Sequence, residues 1–269
     1  MGTSQSKPSA RGGSPLVPSW ANQDPSPGGG DGGGPAQAPT PPSGDNEEVL
    51  EPRRSSGMRR SMKRFLTTGD RADARRALGH YSRGSAGGGA PGARRLGRAA
   101  RVGGGVLSAL SQAAAGQPVA PNGFDLRSLA GSEVGDAINA IVDAFCPPGI
   151  VDEDTIRAAV GEALTEALAG LDQFDPAAID DYTVLIATRS FIAELVFGSV
   201  VTEQGQSAEN VPPQLAISRE NDLRALVREV TDAIATPAIQ AAGANLSQDR
   251  VSDLVTAITT AVYEEMSEW

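Results

Sequence analysis

Across 269 residues the chain has one histidine, one cysteine and two lysines, Lys7 and Lys63, and only 4% of its residues are aromatic. With Cys146 alone there can be no internal disulfide framework and no cysteine-based metal cluster. The residue precedes Pro147-Pro148 at a helix end, where a small buried apolar side chain suffices. With His80 alone, a Ser-His-Asp triad has a single route. The neighbours Arg75, Arg76 and Arg83 lie in a segment with no pocket to preorganise a transition state. A zinc site would need His80 with carboxylates only, which no spacing brings together. No run reaches the roughly 18 apolar residues of a spanning helix. Lys7 and Arg11 are not followed by the apolar stretch of a signal peptide. The expectation is a soluble, cytoplasmic protein without a transmembrane segment. None of the glycine runs is a phosphate loop. Gly103-Gly104-Gly105 before Val106 comes nearest and lacks the lysine. The carboxylate pairs Asp180-Asp181, Asp152/Asp154 and Glu264-Glu265 suit helix starts and solvated faces; general acid–base work would need a cleft. The reading is a non-enzyme that uses no cofactor and no metal.

What is present divides into three blocks. Residues 1–51 carry most of the early glycine and proline, in runs such as Gly28-Gly29-Gly30 and Gly32-Gly33-Gly34, with net charge −4. Residues 52–101 carry 14 basic side chains against Asp70 and Asp73, net +12, and residues 102–269 carry net −18. A segment this poor in apolar surface cannot offset the entropy lost on ordering, so a largely disordered Gly/Pro/Arg-rich arm is expected up to about residue 122. The domain reading is a tail over 1–51, a basic and partly helical segment over 52–122, and an acidic helical domain over 123–269. A basic block of this density meets nucleic acid, an anionic surface or an acidic protein face. One acidic face is in the same chain, so folding back onto it is the alternative.

The fold class expected is all-α, with a five-helix bundle at the C-terminal end. Ser132 can cap a helix to Phe145, with Val134, Ile138, Ile141, Val142 and Phe145 on one face. Asp152 caps the next, where Ile156, Val160, Leu164, Leu168 and Leu171 recur at spacings of four, four, four and three. Asp175-Pro176 opens a third that reaches about Glu203. Its apolar positions (Ile179, Leu185, Ile186, Ile192, Leu195, Val196) nearly encircle it, which marks the central helix. A fourth carries Leu215, Leu223, Leu226, Val227, Val230 and Ile234 and bends or ends near Pro237. Ser247 caps the last, with Val251, Leu254, Val255, Ile258 and Val262 inward. In the basic block, Met58, Met62, Phe65 and Leu66 lie among Arg59, Arg60, Lys63 and Arg64. Asp70 can cap a helix through Tyr81 with Ala74 and Leu78 on its stripe. A stretch over 93–115 is split by Gly103-Gly104-Gly105. Isolated helices this short are marginal in water, so these three are expected to form on binding.

In the tail, Leu16, Val17 and Trp20 stand in a proline-rich setting with nothing local to pack on, the pattern of anchors for a partner's groove; an idle aromatic in a linker is the alternative. Met1-Gly2-Thr3-Ser4-Gln5-Ser6 formally matches an N-myristoylation start. Removal of Met1 would present the Gly2 amine on an open tether, a geometry that suits a modifying enzyme. Arg53-Arg54-Ser55-Ser56 has the form of a kinase site, a pattern too common to weigh.

Three groups of residues carry a family resemblance. They are Met1-Gly2-Thr3-Ser4; Gly13-Ser14-Pro15-Leu16-Val17-Pro18 with Trp20-Ala21; and Arg76-Ala77-Leu78-Gly79-His80-Tyr81-Ser82-Arg83. Together with Gly87-Gly88-Gly89, Arg94-Arg95 and the acidic helical half ending in Trp269, they resemble the QatB family of four-gene bacterial Qat anti-phage operons. The resemblance implies a role beside an ATPase, a QueC-like enzyme and a TatD-like nuclease. QueC-like enzymes activate a carboxylated deazaguanine with ATP and condense it with an amine, so it also implies Gly2 as a candidate acceptor. Partner binding would then use Leu16, Val17, Trp20, Phe65, Leu78, His80 and Tyr81. Basic contacts would come from Arg59, Arg60, Lys63, Arg64, Arg75, Arg76, Arg94 and Arg95. A nucleic-acid adaptor working through 52–101, with Phe65 and Tyr81 as stacking residues, is the second reading. A structural scaffold is the third. A chain cut near Pro121 is expected to leave a folded helical domain.

Overall fold

Hydrophobic periodicity builds the described part of this molecule from helices. The computed structural model describes residues 55–120, 122–146, 148–149, 153–243 and 246–269. The tail over 1–51, with Gly2, Leu16, Val17 and Trp20, and the cap position Asp152 lie outside the described residues. Among the described residues there are nine α-helices and no strand, only two isolated bridges (Val119 with Asp125, Glu133 with Gln173).

The five expected C-terminal helices are all present. They are α5 (Val134–Phe145), α6 (Glu153–Ala167), α7 (Asp181–Gln204), α8 (Pro213–Ala242) and α9 (Gln248–Ser267). Several boundaries differ from the periodic pattern, each for a local reason. Ser132 does not cap α5; its hydroxyl donates to the Leu129 carbonyl, and Glu133 occupies the cap position. Asp175-Pro176 opens only a 3-10 turn, Pro176–Ala178, after which Ile179 is extended. A second acid, Asp180, then accepts from the Thr183 N–H at 2.8 Å and starts α7. Pro237 does not end α8, which runs on to Ala242. Leu171 lies past the end of α6 and is exposed, not inward.

The larger departure is in the basic block. Residues 56–114 form four helices: α1 (Ser56–Thr68), α2 (Arg71–His80), α3 (Gly89–Arg95) and α4 (Gly97–Ala114). A π-helical segment, Tyr81–Ala86, joins α2 to α3. The Asp70 carboxylate accepts from the Ala72 N–H at 2.8 Å, so the expected cap for α2 is in place. These helices do not wait for a partner. Met58, Met62, Phe65 and Leu66 of α1 recur at i, i+4, i+7 and i+8. They share one hydrophobic core with Ala74 and Leu78 of α2, Val106, Leu107 and Leu110 of α4, and the bundle. Burying those faces against other helices supplies the stability that short isolated helices lack. The expected boundary near residue 122 is therefore absent from the packing: the described residues from Ser55 onward belong to one compact unit.

The central helix is α7, flanked by α4, α6, α8 and α9. By length and composition alone, the stretch Asp181–Ala208 is apolar enough to cross a membrane, yet 61% of its most apolar window is buried inside the protein. Its hydrophobicity is spent on neighbouring helices all round. α4 runs unbroken through Gly103-Gly104-Gly105, against its intrinsic propensity. A Cβ on Gly103 would overlap the Phe191 ring of α7, and one on Gly104 would overlap Ser252 Oγ of α9. The glycines let three helix backbones approach closely, and the packing gained outweighs a propensity cost of about 1 kcal/mol per glycine. The packing thus argues against independent folding of residues 122–269, which would leave Phe191 and the inner face of α9 bare.

Gly103→Ala is expected to destabilise the protein by about 1–3 kcal/mol through overpacking, measured by urea denaturation. At Gly97, where nothing lies within 4 Å of an added Cβ, the same change is expected to leave stability unchanged or raise it.

Candidate functional site

Phe65, Leu78 and Tyr81, expected to be partner contacts, are at most 5% exposed and sit in the chain's own core. A buried ring can neither fill a partner's groove nor stack on a base. Their apolar character reflected intramolecular packing, which a sequence pattern does not distinguish from a docking stripe. His80 and the basic residues expected to make contacts are exposed.

Exposure does not leave those cations idle. Asp73, 9% exposed at its side chain, holds Arg64 at 3.0 Å and Arg76 at 3.4 Å. Arg71 pairs with Glu229 of α8. The Arg75 guanidinium lies 5.4 Å from the centre of the Trp269 ring. Arg59 Nε donates to the Glu203 carbonyl at 3.5 Å and Arg83 donates to the Ser267 carbonyl. These two carbonyls lie at the C-terminal ends of α7 and α9, where the helix dipole favours a cation. Arg95 donates to the Ser85 carbonyl. Folding back onto the acidic half, weighed above as the alternative, is what the structure shows for residues 55–115.

What remains is smaller and more specific. Arg60, Lys63, Arg94, Arg98 and Arg101 are exposed and make no side-chain hydrogen bond or ion pair with other described residues. Arg60 and Lys63, with Arg59, rim a shallow hollow against Gly205, Gln206 and Ser207. His80 sits in the field of the same face. Its pKa is held below the usual imidazole value by partial burial and then by Arg83, Arg64 and Arg60.

Opposite charges are also organised within the acidic half. Glu194 of α7, 5% exposed at its side chain, accepts from Arg228 at 2.9 Å and lies 3.5 Å from Arg224, both on α8. Arg228 also reaches Glu166 of α6 at 2.8 Å, and Ser190 donates to Glu166 at 2.8 Å. This chain of partners ties α6, α7 and α8 together, a structural use of the acids. Cys146 is fully buried at the end of α5, and burial pushes its thiol up to about 11. A thiol of that kind is a poor nucleophile at neutral pH.

The second feature is a cleft of about 220 Å³ where the π-helical segment, α3, α4, α6, α7 and α9 meet. Tyr81 and Tyr263 lie in its wall with ring centres 6.0 Å apart. Burial raises the pKa of both phenols, and each interacts with the other and with Ser199 of α7. Arg95, Arg98 and Glu203 supply its charged groups. Of these residues only Tyr81 and Arg95 were singled out from the sequence. Ser85, Arg98, Ser199, Glu203 and Tyr263 come together only through helix packing, and the sole local hint was the glycine-rich stretch Gly87–Gly92.

A family model described as "QatB: Qat anti-phage system associated protein QatB" matches residues 87–266, about two-thirds of the chain. The match therefore lies on the helical body from α3 to α9, including most of the cleft, and not on the N-terminal motifs. No curated protein and no solved structure matches the chain.

Because the folded-state pKa of His80 is lowered, folding disfavours its protonation. Its contribution is complete above the unfolded value of about 6.5 and is lost as pH falls through the folded value. The His80→Gln protein is expected to lose less stability than wild type between neutral and mildly acidic pH, as read by denaturant midpoints.

Proposed function

The chain belongs to the QatB family and is a component of a Qat anti-phage system; on that premise we propose that it works there as a non-catalytic adaptor that docks other components through its basic helical face. The observation that carries this reading is the set of four exposed cations, Arg60, Lys63, Arg94 and Arg101, that pair with no other described residue, on a chain with net charge −10. Exposed charges without internal partners cost little in the free protein and set orientation and on-rate at an interface. A single histidine in a field of arginines and a single buried cysteine support the non-catalytic part. The partners implied by the family resemblance are the QueC-like enzyme, the ATPase and the TatD-like nuclease, and the working place is the cytoplasm. Gly2 is the proposed acceptor for the QueC-like enzyme's activated carboxyl group, through its α-amine.

Nucleic acid is the second occupant of the same face, favoured by the same cations. With Phe65 and Tyr81 buried, such binding would be phosphate contact alone, independent of sequence and steeply salt-dependent.

Charge reversal at Arg60, Lys63, Arg94 and Arg101 together is expected to weaken pull-down of the co-expressed operon partners at least tenfold with helical circular dichroism unchanged. Retained capture would overturn the docking face. A salt-dependent DNA or RNA shift abolished by the same four changes, with protein capture intact, would move the reading to nucleic acid. Intact-mass measurement after co-expression with the QueC-like enzyme tests the acceptor: a mass increase on the Gly2 terminus is expected, and an unmodified terminus would refute it.

A further inference from the structure

The cleft beside the tyrosine pair has features that packing alone does not account for. The cleft opens to solvent, and its volume of about 220 Å³ is room for roughly seven waters at ~30 Å³ each. Its lining is mixed: apolar side chains such as Leu96, Ile156 and Leu195 stand beside the hydroxyls of Tyr81, Ser85, Ser199 and Tyr263, and its charged residues are two arginines and one acid. Ser85 is 7% exposed, and its Oγ is buried with no hydrogen-bond partner among the described residues. Leaving a hydroxyl unpaired in that way costs about 1–3 kcal/mol, which a bound acceptor would recover.

Two more features concern the backbone. The segment that carries Tyr81 and Ser85 is π-helical, a local widening of the helix frequent at functional sites. Gly92 lacks a side chain where a Cβ would come within 2.7 Å of the Tyr263 ring, so α3 packs closely on that ring and holds it at the edge of the cleft. Arg95 is already anchored on the Ser85 carbonyl, so its guanidinium is positioned in advance, while Arg98 is exposed and pairs with no other described residue.

From this lining we infer that the cleft is a binding site for a small organic phosphate, with the phosphomonoester on Arg95 and Arg98 and the polar body against Ser85, Ser199 and the Tyr81–Tyr263 pair. A phosphomonoester offers three acceptor oxygens and two negative charges, which matches two forked guanidinium groups; Ser199 Oγ donates to the Leu195 carbonyl at 2.8 Å and can only accept from the ligand. The cleft volume suits a sugar phosphate and excludes a polymer. The site is separate from the docking cations at Arg60, Lys63, Arg94 and Arg101, so its test stands apart from that of the adaptor role.

The experiment is isothermal titration of the full-length protein with ribose 5-phosphate, with ribose as the uncharged comparison. Saturable binding tighter than about 1 mM is expected for ribose 5-phosphate and none for ribose. The Arg95→Gln/Arg98→Gln protein is expected to bind at least tenfold more weakly, and Ser199→Leu, which fills the cleft, likewise. Since either variant could disturb folding, Arg98→Glu alone, at an exposed position that pairs with no other described residue, is expected to weaken binding with an unchanged melting temperature. Absence of saturation by ribose 5-phosphate, or equal affinity in Arg98→Glu and wild type, would overturn the site.

Discussion

Close approach of α4 to α7 and α9 is the contact on which the rest of this structure depends. It exists because three successive glycines on one helix give the Phe191 ring and the Ser252 side chain somewhere to sit. Once α4 is inserted there, the residues before it are brought within reach of the acidic bundle, and the helices over 56–95 have a surface on which to bury their apolar stripes. Without that insertion, α7 would present a hydrophobic flank to water, since its composition is apolar on nearly every side.

Charge follows from this arrangement and does not lead it. Exposed ion pairs contribute little individually, so Arg71 on Glu229 cannot be what holds the basic block down. They orient it. The cations that reach the ends of α7 and α9 act the same way: they meet carbonyls that have no helical partner, and they set where α1 and the π-helical segment lie. The outcome is a sorting of the described cations of this segment into those engaged by the chain itself and a minority that pair with no other described residue.

The cleft is a product of the same geometry. Where the π-helical segment turns into α3, six elements meet at angles that leave space, and hydroxyls and arginines share its lining with Leu96, Ile156 and Leu195. Burial of both tyrosines on one side and of Ile156 and Leu195 on the other keeps the walls firm. A rigid, partly polar hollow beside an exposed arginine differs from a groove on a mobile surface, because its shape is set by the core.

Helix class, five of the helices, the central position of α7 and the capping role of Asp70 and Ser247 were legible from residue order. They depend on periodicity and on side chains acting within a few residues of themselves. The triple glycine was not legible, because a helix breaker and a helix–helix contact point carry the same letters; only Phe191, almost ninety residues further along the chain, decides between them. The same ambiguity hid the fate of Phe65, Leu78 and Tyr81, since an amphipathic stripe reads alike whether its partner is another molecule or another part of the same one. Sequence thus determined which segments are helical and which faces are apolar, through local and short-range forces. Tertiary structure alone decided what those faces bury against, which arginines stay free, and that Ser85, Arg98, Ser199 and Tyr263 share one cavity, because those outcomes rest on contacts between residues far apart in the chain.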